Sequence, residues 1–189
     1  VVPRLRAPAT VLARLPDAVT PPGVVAVVRT PDTAAPVPTG GNVVVLDGVA
    51  DPGNVGTLVR SAAALGATAV VTVGASADPF GPKAVRASAG TCYRLPVLRR
   101  PDLATAADEL RAAGRRIVGL AAGAGDPVTA LAGRRDVALV LGSEAHGVTD
   151  RGVPDAWVHV PMPGAVESLN VAAAGAIALH ALLGPPAVA

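Results

Sequence analysis

The sequence has very little cysteine, lysine or aromatic side chain, and no long apolar run. A single cysteine, Cys92, excludes an internal disulfide and any zinc site built from a cysteine cluster. Such usage fits a reducing, cytoplasmic setting. One Phe, one Tyr and one Trp leave few rings on which unpaired bases could stack, so a nucleic-acid partner would have to be held by charge and shape. No apolar stretch reaches the roughly 18–20 residues that span a bilayer, which speaks against a membrane partner. The most apolar stretch, Val171 to Leu183, is rich in Ala and Gly and holds His180, and it reads as a buried helix. The chain begins without the basic-then-apolar order of a signal peptide and without an initiator Met, so further residues are expected to precede Val1.

What is present is enough apolar side chain, 51% of 189 residues, for one core and a small appendage. Basic residues number 16 against 14 acidic ones, and all of the basic residues except Lys83 are Arg. The planar guanidinium suits bidentate contact with phosphate, although a GC-rich coding sequence would supply Arg, Ala, Gly and Pro without any functional reason. His146, His159 and His180 lie far apart and show no metal-ligand spacing, so no metal is expected.

Residues 1–41 differ in character from the rest. A short helical stretch, Ala9 to Leu15, leads through Pro21-Pro22-Gly23 to a strand-like run at Val24 to Val28, and Thr30 to Gly41 has the Pro/Gly content of a linker. From residue 42 onward, strands alternate with helices. Continuous apolar runs at Val43 to Asp47, Ala69 to Val73, Leu95 to Leu98, Ile117 to Ala121, Val137 to Leu141 and Val158 to Val160 predict strands buried on both faces. Between them, Asn54 is placed to cap a helix that Gly66 stops, a second helix spans Pro82 to Ala89, and Asp102 caps a third that ends before Gly114. Ser168 to Leu183 closes the chain. The alternation predicts an α/β domain over residues 42–189, a parallel sheet with helices on both faces.

Ligands of such sheets bind where strands end at their carboxyl side, and three of those loops carry unusual polar residues. The first runs from Asp47 to Gly56, with Arg60 further along its helix. The second runs from Leu141 to Gly147 and holds Glu144. The third runs from Val160 to Val171 and holds Ser168 and Asn170. Asn54, Glu144, Ser168 and Asn170 are each also residues that cap helices, and Gly53 and Gly56 need signify only a tight turn. Arg60 is different: it is a long charged side chain on a helix otherwise built from Val, Leu and Ala. The G-x-G-x-x-G pattern is absent, which disfavours a nicotinamide-dependent oxidoreductase, and the P-loop pattern is absent too.

The three loops resemble the three motifs of the SpoU (TrmH-type) RNA ribose 2′-O-methyltransferases, of the SPOUT superfamily. Leu46-Asp47-Gly48 through Arg60-Ser61-Ala62 is similar to the first motif, Val140 to Val148 to the second, and Val160 to Ala172 to the third, with Ser168-Leu169-Asn170-Val171 its most distinctive stretch. Pro82 to Gly90 resembles a further segment near the family's active site. The resemblance implies a C-terminal deep trefoil knot, which general rules of chain connection would not suggest. It also implies a homodimer with the site near the subunit interface, S-adenosylmethionine as methyl donor, and RNA as acceptor. Carried over by position, catalytic roles fall on Arg60, Asn54, Glu144, Ser168 and Asn170. Cofactor contacts fall on Gly142, Val160 and Leu169, with Ala121, Glu144, Gly147, Pro161, Met162 and Ser168 nearby. Thr20 to Val28 is similar to the junction that follows a small RNA-binding domain in the family's ribosomal RNA enzymes. Residues 1–41 are therefore expected to be the tail of a mostly missing N-terminal domain, and ribosomal RNA is favoured over transfer RNA. The same chemistry on transfer RNA, methylation of a site that confers antibiotic resistance, and an idle RNA-binding protein of the same fold remain as alternatives.

A sulfonium methyl is already activated, so its transfer needs alignment and help for a weakly acidic hydroxyl, not a metal. The family assigns Arg60 the role of a base. Neutralising an arginine, with a reference pKa of about 12.5–13.8, costs roughly 7–9 kcal/mol at pH 7. A charged Arg60 that stabilises the developing alkoxide or grips the neighbouring phosphate is the reading that physical chemistry favours.

Overall fold

The computed structural model describes residues 4–12, 14 and 23–184. The chain divides into two units, Val1–Thr30 and Pro31–Ala189. In the first, the expected helix is a single turn, α1 (Ala9–Leu12); Ala13, Leu15 and the Pro21-Pro22 pair lie outside the described residues. The expected strand at Val24 to Val28 does not form. Those residues adopt no regular structure, and Val24 and Val27 are exposed. A strand needs a neighbour for its N–H and C=O groups, and this unit has no second strand among its described residues.

The second unit carries the alternation. In chain order it contains β1 (Val43–Asp47), α2 (Pro52–Leu65), β2 (Ala69–Val73), α3 (Pro82–Ala87), β3 (Val97–Arg100), α4 (Leu103–Ala112), β4 (Arg116–Leu120), β5 (Asp126–Pro127), β6 (Val137–Gly142), β7 (Ala156–His159) and α5 (Val171–Leu183). The strands form one sheet in the order β3-β2-β1-β6-β4-β7-β5, parallel at every pairing. The two-residue β5 is too short to show in an apolar pattern and was not expected.

Period-2 alternation sorts the sheet's side chains into two cores. Val44, Leu46, Leu139 and Leu141 face α2 and α5, packing on Leu58, Val59, Leu179 and Leu182. Val43, Val45, Ala138 and Val140 face the other way, onto Leu103, Ala106 and Leu110 of α4. Helices therefore cover both faces, which is why every residue of β1, β2 and β6 is buried.

Several element ends differ from expectation. Asp51, not Asn54, is the N-cap of α2: its carboxylate accepts from the Asn54 N–H at 3.1 Å, and Pro52 fills the first helical position. The second helix stops at Ala87, two residues early, because Ala89 turns into the left-handed region (φ 51) and Gly90 (φ 75) opens a 3-10 turn at Thr91–Tyr93. The closing helix begins at Val171, not Ser168, because the Asn170 side chain accepts from the Ala172 and Ala173 amides. The Pro/Gly-rich stretch is no free linker beyond Thr30. Buried Arg115 donates to the carbonyls of Pro38 (2.7 Å), Gly40 and Gly41 (2.8 Å), and Arg100 donates to those of Thr33 (3.2 Å) and Ala35 (2.7 Å). Two guanidiniums thus fasten residues 33–41 to the sheet unit.

Gly56 marks where α2 and α3 touch. A Cβ there would stand 2.3 Å from the Ala84 carbonyl oxygen and 2.7 Å from the Ala87 Cβ. Intrinsic helix propensity favours Ala over Gly by about 1 kcal/mol, whereas forcing the helices apart costs about 1–3 kcal/mol. Packing should win: Gly56→Ala is expected to lower the stability of the sheet unit in urea titration, and a more stable variant would contradict this helix contact.

Candidate active site

The sheet order places the relevant loops side by side. β6 lies between β1 and β4, and the last residues of β1 and β6, Asp47 and Gly142, are register partners. Leu120 at the end of β4 pairs with Leu141 on one side and Val158 on the other. The loops after β1, β4, β6 and β7 therefore leave one edge of the sheet together, although they are far apart in sequence.

Three of them are joined through one side chain. Asn54 sits in the first turn of α2, where Asp51 has taken over capping and left the Asn54 side-chain carboxamide free for other partners. Its Nδ2 donates to Glu144 Oε1, and its Oδ1 accepts from Asn170 Nδ2 at 3.2 Å. Asn170 in turn holds the start of α5 through its own Oδ1. The first, second and third loops are thus tied at Asn54, Glu144 and Asn170. Beneath this link, the Lys83 ammonium donates to Asp51 at 2.6 Å. That bond holds the Asp51 carboxyl below the usual carboxylate range, with the Asn54 and Gly53 amides acting in the same sense.

The turn at 143–147 is shaped by its own bonds. Ser143 and Gly147 exchange backbone hydrogen bonds at 2.9 Å each way, and Ser143 Oγ accepts from the His146 N–H at 3.1 Å. The turn lies so close over Gly142 that a Cβ there would stand 2.0 Å from the Gly147 carbonyl carbon and 2.2 Å from the Val148 nitrogen. Only glycine permits this approach. Asp47, at the buried end of β1, anchors the far side of the turn by accepting from the Thr149 N–H at 2.7 Å and the Thr149 hydroxyl at 2.9 Å.

These loops enclose a cleft of about 480 Å³. Of the expected cofactor positions, Ala121, Gly142, Glu144, Gly147, Val160, Met162, Ser168 and Leu169 line it, and Pro161 does not. Asn170 lines it as well. Sequence reasoning missed Leu120, Ala122, Leu141, Ser143, Val171 and Ala174, which supply most of the remaining wall. Their signal was adjacency to a motif, which does not say which residues turn inward. The supporting roles of Asp47 and Asp51 were also missed, because a carboxylate that serves backbone amides looks in sequence like any turn residue.

Arg60 stands apart. It is exposed on α2 and borders a second hollow with Ala63, Ala64, Thr91, Arg94 and Leu95, and it is not among the residues that line the cleft. Within one chain the structure unites Asn54, Glu144, Ser168 and Asn170 and leaves Arg60 outside their group. Among the described residues, no group of three or more His, Cys, Asp or Glu could hold a metal ion, and no helix is long and apolar enough to cross a membrane. Cys92 is buried.

The model of the SpoU rRNA Methylase family matches residues 41–180. The chain is 38% identical over 167 residues to the 23S rRNA (guanosine(2553)-2′-O)-methyltransferase RlmP of Bacillus subtilis, covering 87% of this chain and 66% of that protein. It is 42% identical over 137 residues to the 23S rRNA (guanosine-2′-O-)-methyltransferase RlmB of Xylella fastidiosa, covering 71% of this chain and 55% of that one. The chain therefore spans between about half and two-thirds of the length of these relatives. Among solved structures, the SpoU methyltransferase AviRb of Streptomyces viridochromogenes in complex with AdoMet superposes with a TM-score of 0.72 at 34% identity, over 78% of this chain and 61% of that one. From the polar loops at the ends of β1, β6 and β7 to the extent of these matches, the observations agree: this chain belongs to the SpoU rRNA methylase family.

Proposed function

We propose that this protein transfers a methyl group from S-adenosylmethionine to a ribose 2′-hydroxyl of ribosomal RNA. The observation that carries the reading is the Asn54 link, which joins the three motif loops around a cleft lined by eight of the nine expected cofactor positions. Relatives named as 23S rRNA methyltransferases support ribosomal RNA as the acceptor, and on this reading the protein works in the cytoplasm beside that RNA.

The cleft suits such a donor. Its volume lies in the range of about 300–1,000 Å³ found for small-molecule sites, with apolar walls and few polar groups. Leu120, Leu141, Val160, Met162 and Leu169 would hold the faces of an adenine, while backbone groups around Gly142 and Gly147 would read its edge. When bound, S-adenosylmethionine supplies a methyl group activated by its positive sulfur. The chain's own contribution is placement and electrostatics. Asn54 keeps Glu144 and Asn170 at fixed positions beside the cleft, Ser168 and Glu144 would orient the ribose, and the Arg60 guanidinium would stabilise the negative charge that develops on the 2′-oxygen. That oxygen would take the methyl group as the carbon–sulfur bond breaks to leave S-adenosylhomocysteine, and the hydroxyl proton would pass to water or a phosphate of the RNA.

Arg60 lies outside its own chain's cleft, so the reading includes a homodimer in which Arg60 of one subunit completes the site of the other. The outer side of α5 supports this: Ile177 is 45% exposed on a helix made almost wholly of apolar residues. The reading also includes a C-terminal trefoil knot, supported by the insertion of β6 between β1 and β4 and by the packing of α5 on α2 across Gly175. On this reading residues 1–41 are the tail of an N-terminal RNA-binding domain together with the Pro/Gly-rich stretch that follows it.

Two tests follow. Arg60→Ala should abolish methylation of ribosomal RNA by labelled cofactor while S-adenosylhomocysteine affinity, by calorimetry, stays within a fewfold; normal turnover would remove Arg60 from the mechanism. Arg60→Lys keeps the charge but not the planar fork, so its activity separates those two contributions. Gly142→Ala should weaken S-adenosylhomocysteine binding at least about tenfold, since the added methyl displaces the turn at 143–147. Unchanged affinity would show that this turn does not hold the cofactor.

A further inference from the structure

The hollow beside Arg60 has a chemistry of its own. It measures about 400 Å³ and is bordered by Arg60 and Ala63 and Ala64 of α2, by Thr91 and Arg94 of the 3-10 turn, and by Leu95. Arg60 and Arg94 are both exposed, and among the described residues neither guanidinium has a carboxylate within 4.0 Å. By contrast, Arg99, Arg100, Arg111 and Arg134 of the same unit each have one. The hollow offers no competing anion or donor: Ala63 and Ala64 carry only methyl groups, Leu95 is apolar, and the Thr91 hydroxyl already donates to the Ser88 carbonyl at 2.7 Å.

The wider surface has the same sign. Residues 51–96 contain Arg60, Lys83, Arg86 and Arg94 against two carboxylates, Asp51 and Asp78. Lys83 and Asp78 already have partners in Asp51 and Arg99. Among the described residues Arg60, Arg86 and Arg94, on α2, α3 and the turn that follows, have no carboxylate within 4.0 Å. Two guanidiniums sharing one hollow repel each other until an anion lies between them, and a phosphodiester offers two oxygens to such a pair. The volume exceeds what a phosphate alone fills and leaves room for its sugar.

We infer that this hollow is a phosphate subsite, in which Arg94 together with Arg60 grips a phosphodiester of the RNA substrate and so sets the strand's register relative to the methylated ribose. The inference rests on the proposed RNA methyl transfer and deepens it by adding Arg94, which lies outside the three motif loops. Arg94 is a binding residue: it fixes the position of the strand and takes no part in proton transfer.

The test uses the full chain with 23S ribosomal RNA transcribed in vitro as the probe. Because the Arg94 side chain is exposed, Arg94→Ala is expected to keep the wild-type melting temperature, and Arg94→Lys supplies a second variant that retains the charge. Filter binding across a salt series should show the slope of log affinity against log salt reduced by about 0.7–0.9 in Arg94→Ala, the loss of one phosphate contact, with Arg94→Lys restoring it. With labelled cofactor, the KM for RNA should rise roughly tenfold in Arg94→Ala, as for one lost charge-assisted bond, with kcat within about twofold. S-adenosylhomocysteine affinity should not change. An unaltered slope and KM in Arg94→Ala, with the wild type active, would overturn the subsite and leave the methyltransferase reading standing. A wild type that binds the RNA with an Arg94-dependent slope but transfers no methyl would retain the subsite and overturn that reading instead.

Discussion

One carboxamide holds the candidate site together. Asn54 has a donor and an acceptor on opposite sides of a single planar group, and it uses the donor on Glu144 and the acceptor on Asn170. A carboxylate could not satisfy both partners, because it has nothing to donate to Glu144. The side chain is free for this task only because Asp51 caps α2 in its place. The chain of dependence runs outward from there: Lys83 steadies Asp51, Asp51 caps the helix, the helix presents Asn54, and Asn54 holds side chains of two other loops, 90 and 116 residues later.

The sheet makes this economy possible. A parallel strand delivers its following loop to the same edge as every other strand, so strand order decides which loops meet. Placing β6 next to β1 sets Asp47 against Gly142, and both ends are then locked to the turn between them: Asp47 through Thr149, Gly142 through the backbone that lies on it. The cleft is accordingly walled by strand ends, by the tight turn at 143–147 and by the loop that runs from Val160 to Asn170. Such walls suit a ligand read mainly through its faces and backbone contacts.

Much of the sheet was legible because fully buried parallel strands appear as unbroken apolar runs; β1, β2 and β6 are of this kind, and their expected bounds agree with the observed ones to within one residue. Strand order was not legible. Nothing local in Val137 to Gly142 says that it inserts between β1 and β4, since that depends on which apolar faces remain to be covered. The cap of α2 was misassigned for a simple reason: Asp51 and Asn54 are both good capping residues three positions apart, and Pro52 was the clue that favoured the first. Residues 33–41 resembled a linker by composition, and what fastens them are arginines about 65 to 77 positions later. Within the site, the motif residues were found because they resemble those of a family. Their shared bond to Asn54 could be found only in three dimensions, as could the separation of Arg60 from the cleft.

Asn54 and Glu144 are expected to act as one unit in shaping the cleft. A double-mutant cycle on S-adenosylhomocysteine affinity, with Asn54→Ala, Glu144→Ala and the pair measured by calorimetry, tests it most directly. A coupling of about 1 kcal/mol or more is expected, so that the second substitution costs little once the first has been made. Strictly additive losses would contradict it.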